Sequence, residues 1–236
     1  KMKIEKALIL MSLVCFVGCS TFNNSTVYMD RNKGSEVINY KDDVAEVSLQ
    51  FEPDINFASM GVFGAPVIPL YFKIRKAKEI KLGVRFFTSQ NKFFSVSAKP
   101  CLRINDGEEL CPEHLSISAM GLRDIGSVES GGHTWVDICD FRGTKDINVD
   151  LTKASKTDKI DKSQILKHYH CSDEEIVEHL NVYYLYTYKC NGECPQKIIL
   201  NVKDIVHIDG LPVENRHHIF EKTLYNEYVM MWEQLQ

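Results

Sequence analysis

The 236-residue chain has no apolar run of the roughly 20 residues that a membrane-spanning helix needs, and the run from Ala7 to Val17 falls well short. It has no excess of positive charge: 28 Lys and Arg stand against 32 Asp and Glu. Such a surface repels phosphate backbones, so no nucleic-acid partner is expected. There is no Cys-x-x-Cys and no His-Glu-x-x-His, the spacings that would complete a zinc site or a redox pair. No repeat of fixed period occurs, which excludes a solenoid. Gly131-Gly132, with Ser127, Ser130 and Thr134, reads as a loop without the elbow or triad context of a serine hydrolase.

What is present is concentrated at the start. Lys3 and Lys6 precede the apolar run, and Gly18 and Cys19 follow it. A basic start, a short apolar core and a small residue before a cleavage point make residues 1–18 a secretory signal peptide. Phe16-Val17-Gly18-Cys19 resembles the lipobox of bacterial lipoprotein precursors, although Phe16 stands where that pattern prefers Leu. Cys15 fits worse, because the bulky Val14 precedes it. The resemblance implies cutting before Cys19 and attachment of acyl chains such as palmitate to its sulfur and new amino group. It also implies a place in the bacterial cell envelope. In lipoproteins of Gram-negative bacteria an Asp after the cysteine tends to retain the protein at the inner membrane, so Ser20 points to the outer membrane, facing the periplasm. Loss of residues 1–18 removes Lys1, Lys3, Lys6 and Glu5 and leaves 25 basic and 31 acidic residues, net −6. Residues 19–43 are polar and read as an acylated cysteine on a flexible tether.

Six further cysteines in an exported chain suggest disulfides. Asn105-Asp106-Gly107 reads as a three-residue hairpin loop with Gly107 at the left-handed position. Counting outward, Ile104 faces Glu108, Arg103 faces Glu109, Leu102 faces Leu110, and Cys101 faces Cys111 at a separation that suits a bridge. Around Cys190 and Cys194, a two-residue turn at Asn191-Gly192 would point the cysteines to opposite faces, whereas a three-residue loop would let them bond. The second is favoured, which leaves Cys139 with Cys171.

Periodicity gives a mainly β fold with a few short helices, antiparallel and sandwich-like, stapled by disulfides. Ala45, Val47, Leu49 and Phe51 alternate with polar residues, as do Ile80, Leu82, Val84 and Phe86. Val67 to Arg75 reads as an edge or sandwich strand whose start Pro69 weakens. Phe94, Val96 and Ala98 follow a hairpin turn at Ser89-Gln90-Asn91, and Leu115 to Met120 and Trp135 to Phe141 add short strands. Residues 44–150 therefore form a sandwich-like region. The polar, Lys-rich stretch at 151–163, within a patternless segment from Lys145, reads as a loop. Residues 164–236 form an α+β C-terminal region that could belong to the same domain. In it, Ser172 caps a short helix. Leu180, Val182, Tyr184, Tyr186 and Tyr188 make one face of a strand whose hairpin partner carries Ile198, Leu200 and Val202. Phe220, Leu224, Tyr228 and Trp232 recur every four residues, as on an amphipathic helix.

His168-Tyr169-His170-Cys171 is the densest group of metal-ligating side chains, of a softness that suits zinc or copper. With Cys171 assigned to a bridge, and no completing spacing, no metal or cofactor is expected. His217-His218 reads as a solvated pair. The tyrosine face reads as core, with an aromatic platform for a sugar or protein as the alternative. No catalytic set is visible. The expected function is that of a non-enzymatic, membrane-anchored envelope module whose partner is another envelope protein or a glycan. The competing reading is a periplasmic metal-binding or hydrolytic lipoprotein using residues 168–171.

Overall fold

The computed structural model describes residues 19–35, 37–41, 45–62, 65–72, 78–89, 94–104, 107–127, 133–137, 146–168 and 179–230. The described chain is mainly antiparallel β. Two compact units divide it, Lys1–Tyr28 with Pro53–Ala77 and Lys222–Gln236 in the first, and Met29–Glu52 with Lys78–Glu221 in the second. Among the described residues no helix is long and apolar enough to cross a membrane.

The first unit is built on β1 (Cys19–Asp30) as far as Tyr28, with β4 (Asp54–Val62) and β5 (Ala65–Phe72), in the order β5-β4-β1. β1 pairs with β4 from Cys19↔Val62 to Thr26↔Asp54, and β4 pairs with β5 from Phe57↔Phe72 to Val62↔Ala65. This corrects the reading of residues 19–43 as a tether. A run of Ser, Thr and Asn between apolar Phe22, Val27 and Tyr28 is polar in composition yet strand-competent, and β1 starts at Cys19 itself.

In the second unit the largest sheet includes β2 (Val37–Lys41), β3 (Ala45–Phe51), β6 (Glu79–Ser89), β10 (His114–Ser127), β11 (His133–Asp137) and β14 (His179–Lys189), ordered β11-β10-β14-β6-β3-β2. β12 (Ile147–Asp150) pairs with β10. A second layer has the order β18-β15-β8-β9, from β18 (His217–Met230) as far as Glu221, β15 (Lys197–Asn201), β8 (Leu102–Ile104) and β9 (Glu108–Leu110). A third sheet joins β13 (Lys159–Asp161), β7 (Phe94–Ser97), β16 (Val206–Ile208) and β17 (Leu211–Pro212). Side chains lock the layers together. Phe51 meets Phe220 edge to face at 4.9 Å, and Phe86 stacks on Phe94 at 4.9 Å. Val47, Leu49, Phe51, Ile80, Leu82, Val84 and Phe86 are all buried, as their alternation requires. In β7 the intervening Ser95 and Ser97 are buried too, so this strand is covered on both faces.

β14 is central, paired to β6 on one side and β10 on the other. Leu180, Val182, Tyr184, Tyr186 and Tyr188 are buried to 0–1% exposure. The Tyr186 hydroxyl donates to the Ser97 carbonyl at 2.7 Å and that of Tyr188 to the Pro100 carbonyl at 2.8 Å. On the other face Tyr183 lies over Gly83 so closely that a Cβ there would stand 2.8 Å from Tyr183 Cε2. Tyr183 also donates to Glu52 at 3.1 Å and faces the Arg85 guanidinium at 5.8 Å.

Four further expectations are corrected. β15 is not the hairpin partner of β14; it pairs with β18 and β8, because the turn after Lys189 carries the chain into the other layer. β6 and β7 do not form a hairpin at residues 89–91, since they lie in different sheets. The C-terminal helix is the strand β18: a spacing of four is also a multiple of two, and the β-branched and aromatic residues of Ile219 to Val229 favour the extended form. The stretch from Lys145 to Ser163 is not all loop, as it holds β12, β13 and the start of α1 (Lys162–His168). Asp161 caps that helix, accepting from the Gln164 amide at 3.1 Å while Gln164 Oε1 accepts from the Asp161 amide at 3.4 Å. Because β14 lies between β10 and β6, the regions read as 44–150 and 164–236 share one sheet. The helix expected at Ser172 lies outside the described residues.

Candidate functional site

Two places in the second unit concentrate chemistry. The first is a buried imidazole between two carboxylates. His218, near the start of β18, is 5% exposed, and Asp30, at the end of β1, is fully buried. His218 Nδ1 donates to Asp30 Oδ2 at 2.5 Å, and Nε2 lies 2.9 Å from Glu214 Oε2. The Tyr40 hydroxyl, from β2, donates to the same Glu214 oxygen and sits 3.2 Å from His218 Nε2. The chain is bent to allow this: residues 31–34 turn between β1 and β2, with Gly34 at φ 62° and the Asn32 amide donating to Asp30 Oδ1 at 2.8 Å. Arg216 adds a positive charge 3.8 Å from Glu214 Oε1.

Burial alone would raise the Asp30 carboxyl, but hydrogen bonds from His218 and the Asn32 amide hold it below the ordinary carboxylate range. Glu214 is likewise favoured upward by burial and is brought low by the hydrogen bonds of Tyr40 and His218. Burial and the neighbouring Glu214 push the Tyr40 phenol far up, so it stays a donor. The bonding partners of the His218 ring among the described residues are Asp30, Glu214 and Tyr40, and they occupy the approaches to both ring nitrogens. Within the second unit the cluster can fasten Asp30, Tyr40 and His218 to the 213–216 segment and hold charge out of water. Proton transfer to an outside substrate is not served by this geometry.

The second place is a cavity of about 370 Å³ under α1. Ile117, Ile147, Val149, Leu151, Ile160 and Ile165 line it, and Lys159, Gln164 and His168 stand among its polar contributors. Its volume lies in the range of small-molecule sites, and its walls are aliphatic rather than aromatic.

The residues singled out from sequence are distributed as follows. Cys101 and Cys111 form a disulfide with Cα atoms 4.1 Å apart, on strands in the register Leu102↔Leu110, Arg103↔Glu109 and Ile104↔Glu108. Cys190 and Cys194 form a second, at a Cα separation of 5.2 Å, with Gly192 at φ 105° in the intervening loop. Cys139 and Cys171 lie outside the described residues, as do Tyr169 and His170. His168 is on the exposed last turn of α1. Cys101, Glu109 and Cys111 approach one another as metal ligands would, but both sulfurs are consumed in the bridge. Cys19 is the first residue of β1. His217 is exposed, whereas His218 is not the solvated residue the sequence suggests. A strand reading of residues 217–230 would have found it, by placing His218 on the face of Phe220. Asp30, Tyr40 and Glu214 carry no local signal.

No protein-family model and no curated protein sequence matches this chain. A solved structure, that of a collagen adhesin from S. aureus, is similar over 90% of this chain and 84% of that one, at 8% identity and a TM-score of 0.27. That similarity is too low to carry any argument.

Proposed function

We propose that the chain is a lipid-anchored lipoprotein of the bacterial envelope, acylated at Cys19, whose disulfide-bridged β domain binds another envelope component without catalysing a reaction. The observation that carries this reading is Phe16-Val17-Gly18-Cys19 after a short apolar run with a basic start. Bridges at Cys101–Cys111 and Cys190–Cys194 agree with an oxidising compartment. Burial of the tyrosine stripe of β14 in the core moves any binding surface elsewhere, and the aliphatic cavity under α1 is a concave site of the right size. Ser20 favours the outer membrane, facing the periplasm. The partner is an envelope protein or a glycan.

The test is Cys19→Ala in cells. The parent chain should sediment with membranes and incorporate labelled palmitate. The variant should incorporate none and be released, since acyl chains supply the anchor. Palmitate incorporation that survives the substitution would overturn the proposal.

A further inference from the structure

Every side chain that lines the cavity under α1 belongs to the second unit, and the lining is graded in exposure. Ile117, Leu151 and Ile165 are 0–1% exposed and form its floor. Ile147, Val149 and Ile160 are half-buried and form its walls. Asp158, Lys159, Gln164 and His168 are exposed and mark its mouth. The walls show that space is left over. In β12, Asn148 and Asp150 are exposed, and the alternating Ile147 and Val149 turn the other way. The same alternation in β3 leaves Val47, Leu49 and Phe51 at 0–1% exposure, because another layer packs on them. Ile147 and Val149 face a volume of about 370 Å³ instead.

This grading selects the chemistry of an occupant. A hydroxyl-rich ligand would press polar groups against floor side chains that carry no hydrogen-bonding atom, which is costly. A flexible hydrocarbon chain meets no such cost. The mouth then sets the head group. Asp158 is tied to its own loop, since Oδ2 accepts from the Ser155 amide at 2.9 Å. Lys159 has no ion pair among the described residues. Its stem can lie along the apolar wall while the ammonium stays in water. Gln164 and His168 add N–H donors beside it. One uncommitted positive charge and two donor groups at the mouth favour an anionic head.

We infer that the cavity under α1 binds the hydrocarbon chain of a single-chain amphiphile with an anionic head, with the tail on Ile117, Leu151 and Ile165 and the head at Lys159. A free fatty acid and a lipid with one acyl chain share this chemistry. The inference rests on the reading of the β domain as a module that binds an envelope component, and names the chemistry of that component. It makes no use of the anchor at Cys19.

The experiment uses the full chain carrying Cys19→Ser, so that no acyl group of its own competes. It is titrated calorimetrically with decanoate, decanol and decyltrimethylammonium, each below its micelle concentration. Decanoate should bind one to a chain, at least tenfold more tightly than the cation. Lys159→Glu should narrow that gap at least fivefold, on the scale of what exposed charge pairs contribute, and leave decanol binding unchanged. Val149→Trp fills the cavity and should weaken decanoate and decanol at least tenfold. Unfolding midpoints identify a Val149→Trp chain that has lost its fold. In that event methyl NMR of the Cys19→Ser chain decides the matter, as decanoate should move the resonances of Ile117, Val149 and Ile165 ahead of any others. Absence of decanoate binding, a gap that Lys159→Glu does not narrow, undiminished binding by a folded Val149→Trp chain, or methyl shifts confined elsewhere would each overturn the inference. Lysophosphatidylglycerol that binds more tightly than decanoate, with the same sensitivity to Lys159→Glu, upholds the class and makes a lipid the source of the chain. Weaker binding of that lipid makes the free acid the source. Palmitate labelling of the unsubstituted protein in cells is scored separately. Labelling with no decanoate binding fails the inference and spares the anchor, and decanoate binding with no labelling does the reverse.

Discussion

The tyrosine stripe of β14 and the imidazole cluster around His218 both take polar atoms out of water, and they do so by opposite means. Tyr186 and Tyr188 bury neutral hydroxyls that find backbone carbonyls, Ser97 and Pro100, in the segment packed against them. Asp30, Glu214 and His218 bury ionisable groups that satisfy one another. In the first scheme most of the stabilisation is apolar area and each hydroxyl adds a modest, separable amount. In the second, every member depends on the others, because removing one leaves an uncompensated charge. The stripe should therefore be robust to small changes and the cluster intolerant of them.

The largest expected effects probe that contrast by truncation. Tyr186→Ala opens a large cavity in a central strand and should cost about 3–5 kcal/mol. Asp30→Ala removes far less volume, yet should cost about as much, on the order of 3–5 kcal/mol, because it breaks a buried pair. Urea unfolding of the two variants measures both, and an Asp30→Ala value below about 1 kcal/mol would remove the distinction. Next comes the Cys101–Cys111 bridge, which closes an 11-residue loop. Replacing both cysteines with Ser should lower stability by about 2–3 kcal/mol under chain-entropy reasoning.

Acid should separate the two schemes without mutation. Asp30 and Glu214 have folded values below their unfolded ones. Their contribution is fully present above the unfolded carboxylate range, about pH 4, and is lost as pH falls through the depressed folded values. Stability should decline between about pH 5 and 3, and Asp30→Asn with Glu214→Gln should flatten that decline. The tyrosines contribute nothing to that slope, so a decline unchanged in the double variant would place the acid-sensitive groups elsewhere.

The smallest expected effects lie inside the stripe. The Tyr184 hydroxyl is buried and has no hydrogen-bond partner among the described residues, whereas that of Tyr186 has one. Tyr186→Phe strands the Ser97 carbonyl and should cost about 1–2 kcal/mol. Tyr184→Phe should be neutral or slightly stabilising. Equal losses in both variants, read from thermal unfolding, would show that hydroxyl pairing does not govern the stripe.

The same contrast marks what the sequence made legible. Burial of Leu180 to Tyr188 follows from the period of one strand, and the Cys101–Cys111 register follows from one glycine turn, so both can be read locally. The His218 cluster draws on residues 30, 40, 214 and 218, which no local pattern connects. The assignment of β15 to the other layer depends on where a turn sends the chain, and apolar alternation is silent on that. The mistaken C-terminal helix came from an i, i+4 spacing that a strand satisfies equally well. The polar β1 looked like a tether because composition reports solvation, whereas strand pairing is decided by the neighbouring backbone. Of the candidate sites, the lipobox-like residues could be read directly. The cavity under α1 brings Ala98 and Ile117 to the stretch from Ile147 to His168 and could not.

The correction of β1 sharpens the functional proposal. Under the proposed acylation, a cysteine at the start of a paired strand would hold the first unit against whatever its acyl chains enter, with no slack between anchor and fold. Everything in that account depends on the chemical state of Cys19. The most direct measurement is mass spectrometry of the N-terminal fragment of the protein isolated from cell membranes. A fragment that begins at Cys19, carries the added mass of acyl chains and releases fatty acids on alkaline hydrolysis is the predicted result. A fragment with an unmodified Cys19, or one that begins at another residue, would contradict it.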